Sequence, residues 1–399
     1  MRKRSGIVAS MAGRIWTTHL AVLASSVFLT RLGQGLLRGV STNFFVDVLG
    51  LDGKQVLWLA GLREIPGLGL MFIAALAMRF SLARRAVVSL LVMGAGYGLY
   101  FLVQSYSGLI AVALVGSLGF HSWMPLRTSL AMGLSSRADS GRALGSLAAV
   151  GSLASIVGMG VIVLLSTALP LRAFYAVGGG LMIAAALLLL RLPASLGNTR
   201  KAMPPLLVTR RYWLYYVLIF FEGSRMQVFG TFGTLVLVQH YGLGAREISL
   251  LLLASGVVNF VVTPRLGLLL DRLGERITLS ASYVALALCF VGYATVHNVW
   301  GLAAMLIGIN LLVTLRIALS TYVNRIAPAE EVTPTLSTGV TINHITSVSM
   351  SLVAGTLLSI VGYEALCWGA AAIIMLSVPF ALAIRTGAVA VRPGTVPAD

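Results

Sequence analysis

The chain has 399 residues, of which 58% are hydrophobic and 10% charged, with a mean hydropathy of +0.93. A water-soluble domain carries about 25% charged residues, so this chain lacks the polar surface to face water and reads as a polytopic, all-α membrane protein. Its net charge of +17 would point to nucleic acid on a soluble chain. Here basic cytoplasmic loops account for it, and no nucleic-acid partner is expected.

The N-terminus, "MRKRSGIVASMAGR", is basic like the start of a secretion signal. The apolar run after Arg14 is too long for a signal core and completes a repeat described below, so it is expected to be retained. A spanning helix needs about 20 apolar residues. Twelve such runs follow, at about 16–40, 55–78, 86–104, 109–133, 143–167, 171–192, 212–239, 247–269, 277–296, 299–324, 335–360 and 363–385. Cys289 and Cys367 lie inside these runs and form neither a disulfide framework nor metal-ligand spacing. No metal and no cofactor is expected.

The connections alternate in charge. One set carries the N-terminal cluster, Arg79 to Arg85, Arg137 and Arg142, Arg191 to Arg211, Arg272 and Arg276, Arg325, and Arg385 and Arg392. The other carries Lys54, Arg172 and Arg246. The positive-inside rule places the first set, and both termini, in the cytoplasm. The preference for Arg over Lys suggests a GC-rich bacterial genome, hence a bacterial inner membrane. The longest connection, "RLPASLGNTRKAMPPLLVTRR", divides the chain. Residues 1–192 form an N-terminal six-helix bundle, 193–211 a cytoplasmic linker, 212–385 a C-terminal six-helix bundle, and 386–399 a cytoplasmic tail.

The halves look duplicated. "PLRTSLA" (125–131) matches "TLRIALS" (314–320), which sets Arg127 opposite Arg316, each in the fourth helix of its half. "LGL" (49–51) matches "YGL" (241–243), each outside the first helix of its half. Residues 267–276, "GLLLDRLGER", place Gly267, Asp271, Arg272, Gly274 and Arg276 between helices eight and nine. Twelve helices in two repeats, with this loop motif, resemble the major facilitator superfamily. The resemblance implies two pseudo-symmetric six-helix bundles that rock around a central site, and a cytoplasmic gate at the motif. The first half departs from the pattern, since Met78 replaces the Asp and Ala74 the leading Gly. The fifth helix, "GSLAAVGSLASIVGMG", has small residues at close intervals, which suits tight helix packing.

Arg31, Arg38, Arg63, Arg127, Arg225 and Arg316 fall within predicted spans, as do Glu64 and Glu222. A central charge costs about 2.5–3.5 kcal/mol on insertion scales, so these groups should face a wet cavity or one another. The resemblance implies that helices one, four, seven and ten line the cavity. Those helices carry Arg31, Arg38, Arg127, Arg225 and Arg316, whose fixed charge and forked donors match a carboxylate or phosphate. Gln227, Asn310 and Asn343 are further candidate contacts. Glu222 can pair with Arg225 three residues on, and Glu64 can reach Arg38 or Arg31. Either acid, with His344, is a candidate proton carrier, because burial and a nearby Arg shift a carboxyl pKa in opposite directions.

No phosphate-binding glycine loop or catalytic triad occurs, so no enzyme is expected. The sequence reads as a secondary transporter, a functional monomer, for a small anionic solute coupled to protons, with lipid as solvent. The rivals are an exporter of drugs or amphipathic lipids, and a transporter-like sensor or assembly factor. The excess of basic over acidic groups disfavours cationic drugs.

Overall fold

The computed structural model describes residues 16–69, 80–136, 139–193, 196 and 206–385, with the side chains of 227–229 outside the description. Met78, Ala74, the side chain of Gln227, the tail 386–399 and most of the linker lie outside the described residues.

The described chain is helical. In order the rods are α1 (Thr18–Asn43), α2 (Gly53–Leu62), α3 (Leu82–Gly98), α4 (Tyr106–Gly133), α5 (Ser140–Leu165), α6 (Leu171–Leu189) and α7 (Trp213–Tyr241). A segment helical from Ala245 to Thr295 is broken at Gly274 (φ 74°, ψ 169°) into α8 and α9. After it come α10 (Val299–Leu312, continued by Ile317–Ile326) and a segment from Ala329 to Leu382, broken at Gly362 (φ 79°) into α11 and α12. Both breaks use a backbone conformation that side chains with a Cβ rarely adopt. Where the sequence reads as loops, two helices therefore abut through a single glycine.

Side chains on the outer face are apolar. Leu164, Leu187, Leu190, Leu288, Trp300, Ile360 and Leu376 are all exposed. In water this belt would aggregate; in a bilayer it is the lipid-facing surface.

Lipid supplies no hydrophobic drive between helices, so they associate through close packing of small residues. A Cβ on Gly119 of α4 would lie 2.3 Å from the Met93 backbone nitrogen of α3, and one on Gly158 of α5 would lie 2.5 Å from the Leu32 carbonyl of α1. The small-residue run of the fifth helix thus meets the first helix backbone to backbone.

Contacts between the halves come in pairs related by the repeat. Helix α2 packs on α11 as α8 packs on α5, and α1 meets α8 as α7 meets α2. The end remote from the termini is tied by polar bonds between the halves. The Asn43 amide donates to the Leu243 carbonyl (2.9 Å), Thr42 and Thr234 share a hydroxyl bond (2.9 Å), and Ser249 donates to the Gly39 carbonyl (3.1 Å). Trp58 of α2 donates to the Leu352 carbonyl of α11 (3.0 Å). These partners explain why α1 outruns its predicted end at residue 40. Thr42 and Asn43 find acceptors across the seam, and the helix passes into a π-turn, Phe44–Val48. Nearer the termini, a cleft of about 370 Å³ opens between Ala24, Ser25, Phe28 and Leu29 of α1 and Val150 of α5.

Leu in place of Gly119 should separate α3 from α4 and cost about 1–3 kcal/mol, as overpacking does. Gly141→Ala, at a site with open space, should leave the unfolding temperature in detergent unchanged. Equal midpoints for the two variants would contradict the packing described.

Candidate functional site

Pro66 shapes the first part of the site. It has no N–H to donate to Leu62, and its ring disfavours helix immediately before it. The helix unwinds into a turn at Arg63 and Glu64. The Gly67 N–H bonds the Glu64 carbonyl (3.0 Å) rather than that of Arg63. The freed Arg63 carbonyl accepts the Ser117 hydroxyl of α4. The Arg63 guanidinium turns onto the Tyr97 ring, 5.8 Å from its centre, beside a buried aromatic cluster of Phe44, Tyr100 and Tyr175.

Glu64 is directed to the seam. Its Oε2 lies 2.8 Å from Nδ1 of His344 on α11 and 3.8 Å from Nε2 of His121 on α4. The structure thus corrects the expectation that Glu64 pairs with Arg38 or Arg31. Its partners are two histidines, one from each half. His344 was a candidate from sequence; His121 was not, because a lone His in an apolar helix gives no local sign of what faces it. Gly67 makes the contact possible, since a Cβ there would lie 2.8–3.0 Å from the imidazole of His344.

Arg225 and Glu222 form the second part. Both are buried, and the Glu222 carboxylate accepts from Nη2 and, at 3.1 Å, from Nε of Arg225. The guanidinium carbon lies 4.1 Å from the centre of the Tyr283 ring on α9. A water-sized cavity of about 10 Å³ adjoins Glu222, Arg225, Tyr283 and Arg316. Arg225 therefore faces a wall made by α9 and α10, with Arg316 lining the same small cavity.

The remaining arginines form the third part. Arg31 donates to the neighbouring Gln34 (3.1 Å) and packs on Gly151 of α5. It lies within electrostatic range of Arg127 and Arg38. Arg38 lies deep among protein atoms yet keeps an exposed surface. It donates to Asn310 of α10 (3.3 Å), and Asn259 of α8 donates to the Asn310 carbonyl (3.3 Å). A 3₁₀ turn, Val313–Arg316, carries Arg316, which lies exposed with Nη1 3.4 Å from the Met226 sulfur. None of Arg31, Arg38, Arg127 and Arg316 pairs with an acid among the described residues. Asn343 lies on α11, its backbone packed against Gly223 of α7. Arg265, on α8 beside Pro264, was passed over in the sequence; it is exposed and donates to the Val261 carbonyl (2.9 Å).

At the expected gate, Gly267 has open space around it, and Asp271, Arg272 and Arg276 are exposed. The buried acid is Glu275, at a variable position of the motif. It pairs with Arg325 at the end of α10 (2.8 Å). Position 275 follows the Gly274 break directly, so its side chain enters the bundle while that of Asp271 stays outside.

Two bundles of six membrane helices, meeting at a polar seam and holding a basic interior, define a transporter scaffold rather than an enzyme. Residues 23–333 and 215–398 match the sequence profile of the Major Facilitator Superfamily. The chain belongs to that family and is a multi-pass membrane protein and a secondary transporter. No curated protein matches it in sequence. Its fold is similar to that of the nucleoside transporter NupG, at 16% identity and a TM-score of 0.74, over 92% of this chain and 98% of that one. A bacterial homologue of the human lysosomal transporter Spinster, in an inward-facing and unoccupied conformation, is similar at 11% identity and 0.73, over 92% and 96%. The human organic anion transporter MFSD10 is similar at 12% identity and 0.61, over 91% and 98%. At these identities the likeness is one of fold.

Replacing Arg225 by Ala would leave the Glu222 carboxylate buried and unmatched, at a cost of about 3–5 kcal/mol. The double variant Glu222→Leu/Arg225→Met should recover most of that loss. Thermal unfolding in detergent distinguishes the three proteins, and a double variant no more stable than Arg225→Ala would contradict the pairing.

Proposed function

We propose that this protein moves a small anionic solute, bearing a carboxylate or phosphate, by alternating access. The carrying observation is that Arg31, Arg38, Arg127 and Arg316, on α1, α4 and α10, have no acidic ion-pair partner among the described residues. Guanidinium groups out of bulk water are costly unless matched. The two intramembrane acids are engaged elsewhere, Glu64 with histidines and Glu222 with Arg225. The missing negative charge is then the cargo's. Arginine suits it, because its charge persists on burial and its fork fits two oxygens. Asn310, already bonded to Arg38, offers a second-half contact. Asn343 and Gln227 join it in this reading as polar contacts of the second half.

The described basic residues at the end nearest the termini, among them Arg84, Arg85, Arg142, Arg210, Arg272 and Arg325, support a cytoplasmic location for that end. The closed remote end then corresponds to a cargo site open to the cytoplasm. We assign a bacterial inner membrane and a monomeric unit to this reading. The gate is assigned to the Gly267–Arg276 segment, with Glu275 and Arg325 as its paired charges.

Coupling to protons is assigned to Glu222. It is ion-paired only within its own helix, so α7 can carry the pair through the cycle. The water-sized cavity beside it also touches Arg316, so cargo held by Arg316 changes the field that Glu222 feels.

Thermal-shift titration with inorganic phosphate, dicarboxylates and a neutral nucleoside tests the cargo class. Anions should stabilise the wild type, and Arg31→Ala or Arg127→Ala should weaken that binding about tenfold or more, the loss expected of a charge-assisted bond. Stabilisation by the nucleoside alone would overturn the anion reading.

Glu222→Gln keeps a hydrogen-bond acceptor for Arg225 but cannot ionise. In proteoliposomes it should lose pH-gradient-driven uptake and keep exchange of cargo across the membrane. Gradient-driven uptake at wild-type rate would remove Glu222 from the mechanism.

A further inference from the structure

We propose that Glu64, His121 and His344 form a binding site for a divalent transition-metal cation such as Zn²⁺, and that the bound ion clamps the two halves together at the α2–α11 seam. The site is independent of the cargo reading, since none of the cavity arginines takes part.

The three side chains come from the turn that follows α2, from α4 and from α11. One ligand atom from each lies within 4.8 Å of the others. Glu64 Oε2 is 2.8 Å from His344 Nδ1 and 3.8 Å from His121 Nε2. Donor atoms on a tetrahedral zinc ion, at Zn–N and Zn–O lengths near 2.0–2.1 Å, sit about 3.3 Å apart. The two separations from Glu64 bracket that value, and the two imidazole nitrogens lie within 4.8 Å of each other, so small side-chain movements would bring the three donors onto one ion. Two imidazoles and one carboxylate are a donor set that suits zinc, and three protein ligands leave a fourth position for water.

A simple Glu64–His344 ion pair accounts for only part of this arrangement. It does not include His121, buried on a third helix, whose ring bonds the Arg63 backbone and sets Nε2 3.8 Å from the same carboxylate oxygen. The two imidazoles stand edge to face, 5.0 Å between ring centres. Protonated together they would repel each other; as neutral ligands of one cation they would not. The backbone is fitted to the cluster. The turn before Pro66 directs Glu64 to the seam, and Gly67 leaves room for the ring of His344. Arg63 is turned onto Tyr97 and does not fill the space. His121 and Glu64 belong to one half and His344 to the other. An ion bound by all three would have to be released before α11 could part from α2, so it should hold the remote end closed.

The test uses the full-length protein in detergent with zinc chloride alone. Equilibrium dialysis should show one zinc per chain bound at this site, together with a rise in the unfolding temperature. His121→Asn, His344→Asn and Glu64→Gln, each close in size to the native residue, should each weaken zinc binding at least tenfold. His297→Ala removes an exposed imidazole paired with Glu364 and should leave that binding unchanged. Cobalt(II) in place of zinc gives a readout that needs no variant, since a four-coordinate site produces intense visible absorption. Zinc binding that persists in both Asn variants, zinc binding lost in His297→Ala, or wild type that neither retains zinc nor yields the cobalt bands would overturn the proposal.

Discussion

The seam between the halves must hold firmly and also part, and the arrangement of glycine, proline and charge follows from that demand. Helices α2 and α11 come close because Gly61, Gly67 and Gly355 present no Cβ to Ser351, His344 and Trp58. Such contact gives strong dispersion without covalent or deep ionic ties. The polar bonds added across it are few and neutral at the remote end, between hydroxyls, amides and carbonyls. Neutral bonds can be exchanged for water at modest net cost. The charged member of the seam, Glu64, sits deeper and is joined to histidines rather than arginines, so the tie it makes is weaker than a salt bridge to a fixed cation.

Charge is divided accordingly. Arg225 is matched within its own helix by Glu222, and Arg325 is matched within its own half by Glu275. These pairs can travel with their bundle without being broken. The arginines on α1, α4 and α10 have no acidic partner among the described residues. In the proposed reading, a buried cation matched within a rigid unit is structural, whereas one without an acid awaits a mobile partner. The same residue type therefore serves two ends, and its counter-charge tells them apart.

Much of this was legible in the sequence. Twelve apolar runs, the basic linker and the matched segments around Arg127 and Arg316 were sufficient for the fold class, because lipid imposes length and hydropathy on each helix separately. Helix ends were less legible. Helix α1 passes residue 40 because its polar end bonds to residues about 200 positions away, which no local pattern reports. The break at Gly274 was expected as a loop, yet the choice of Glu275 over Asp271 as the buried acid depended on one glycine's dihedral angles. Among site residues, Arg31, Arg38 and Arg127 have no acidic partner among the described residues, as a cargo-binding role would require. Arg225 carried the same sequence sign and turned toward Tyr283, since helix periodicity fixes a face but not which neighbour that face meets.

The sequence by itself determined that this chain spans a membrane many times, that it is built from two related halves, and that charges in its spans demand partners. Those facts are local, set by the cost of placing each residue in hydrocarbon. Only the tertiary structure decided the partners. It gave Glu64 to His344 and His121, gave Glu222 to Arg225, and left the arginines of α1, α4 and α10 without an acid among the described residues. Pairing is a matter of distance between helices far apart in the chain, and that distance is set by which small residues let their backbones touch.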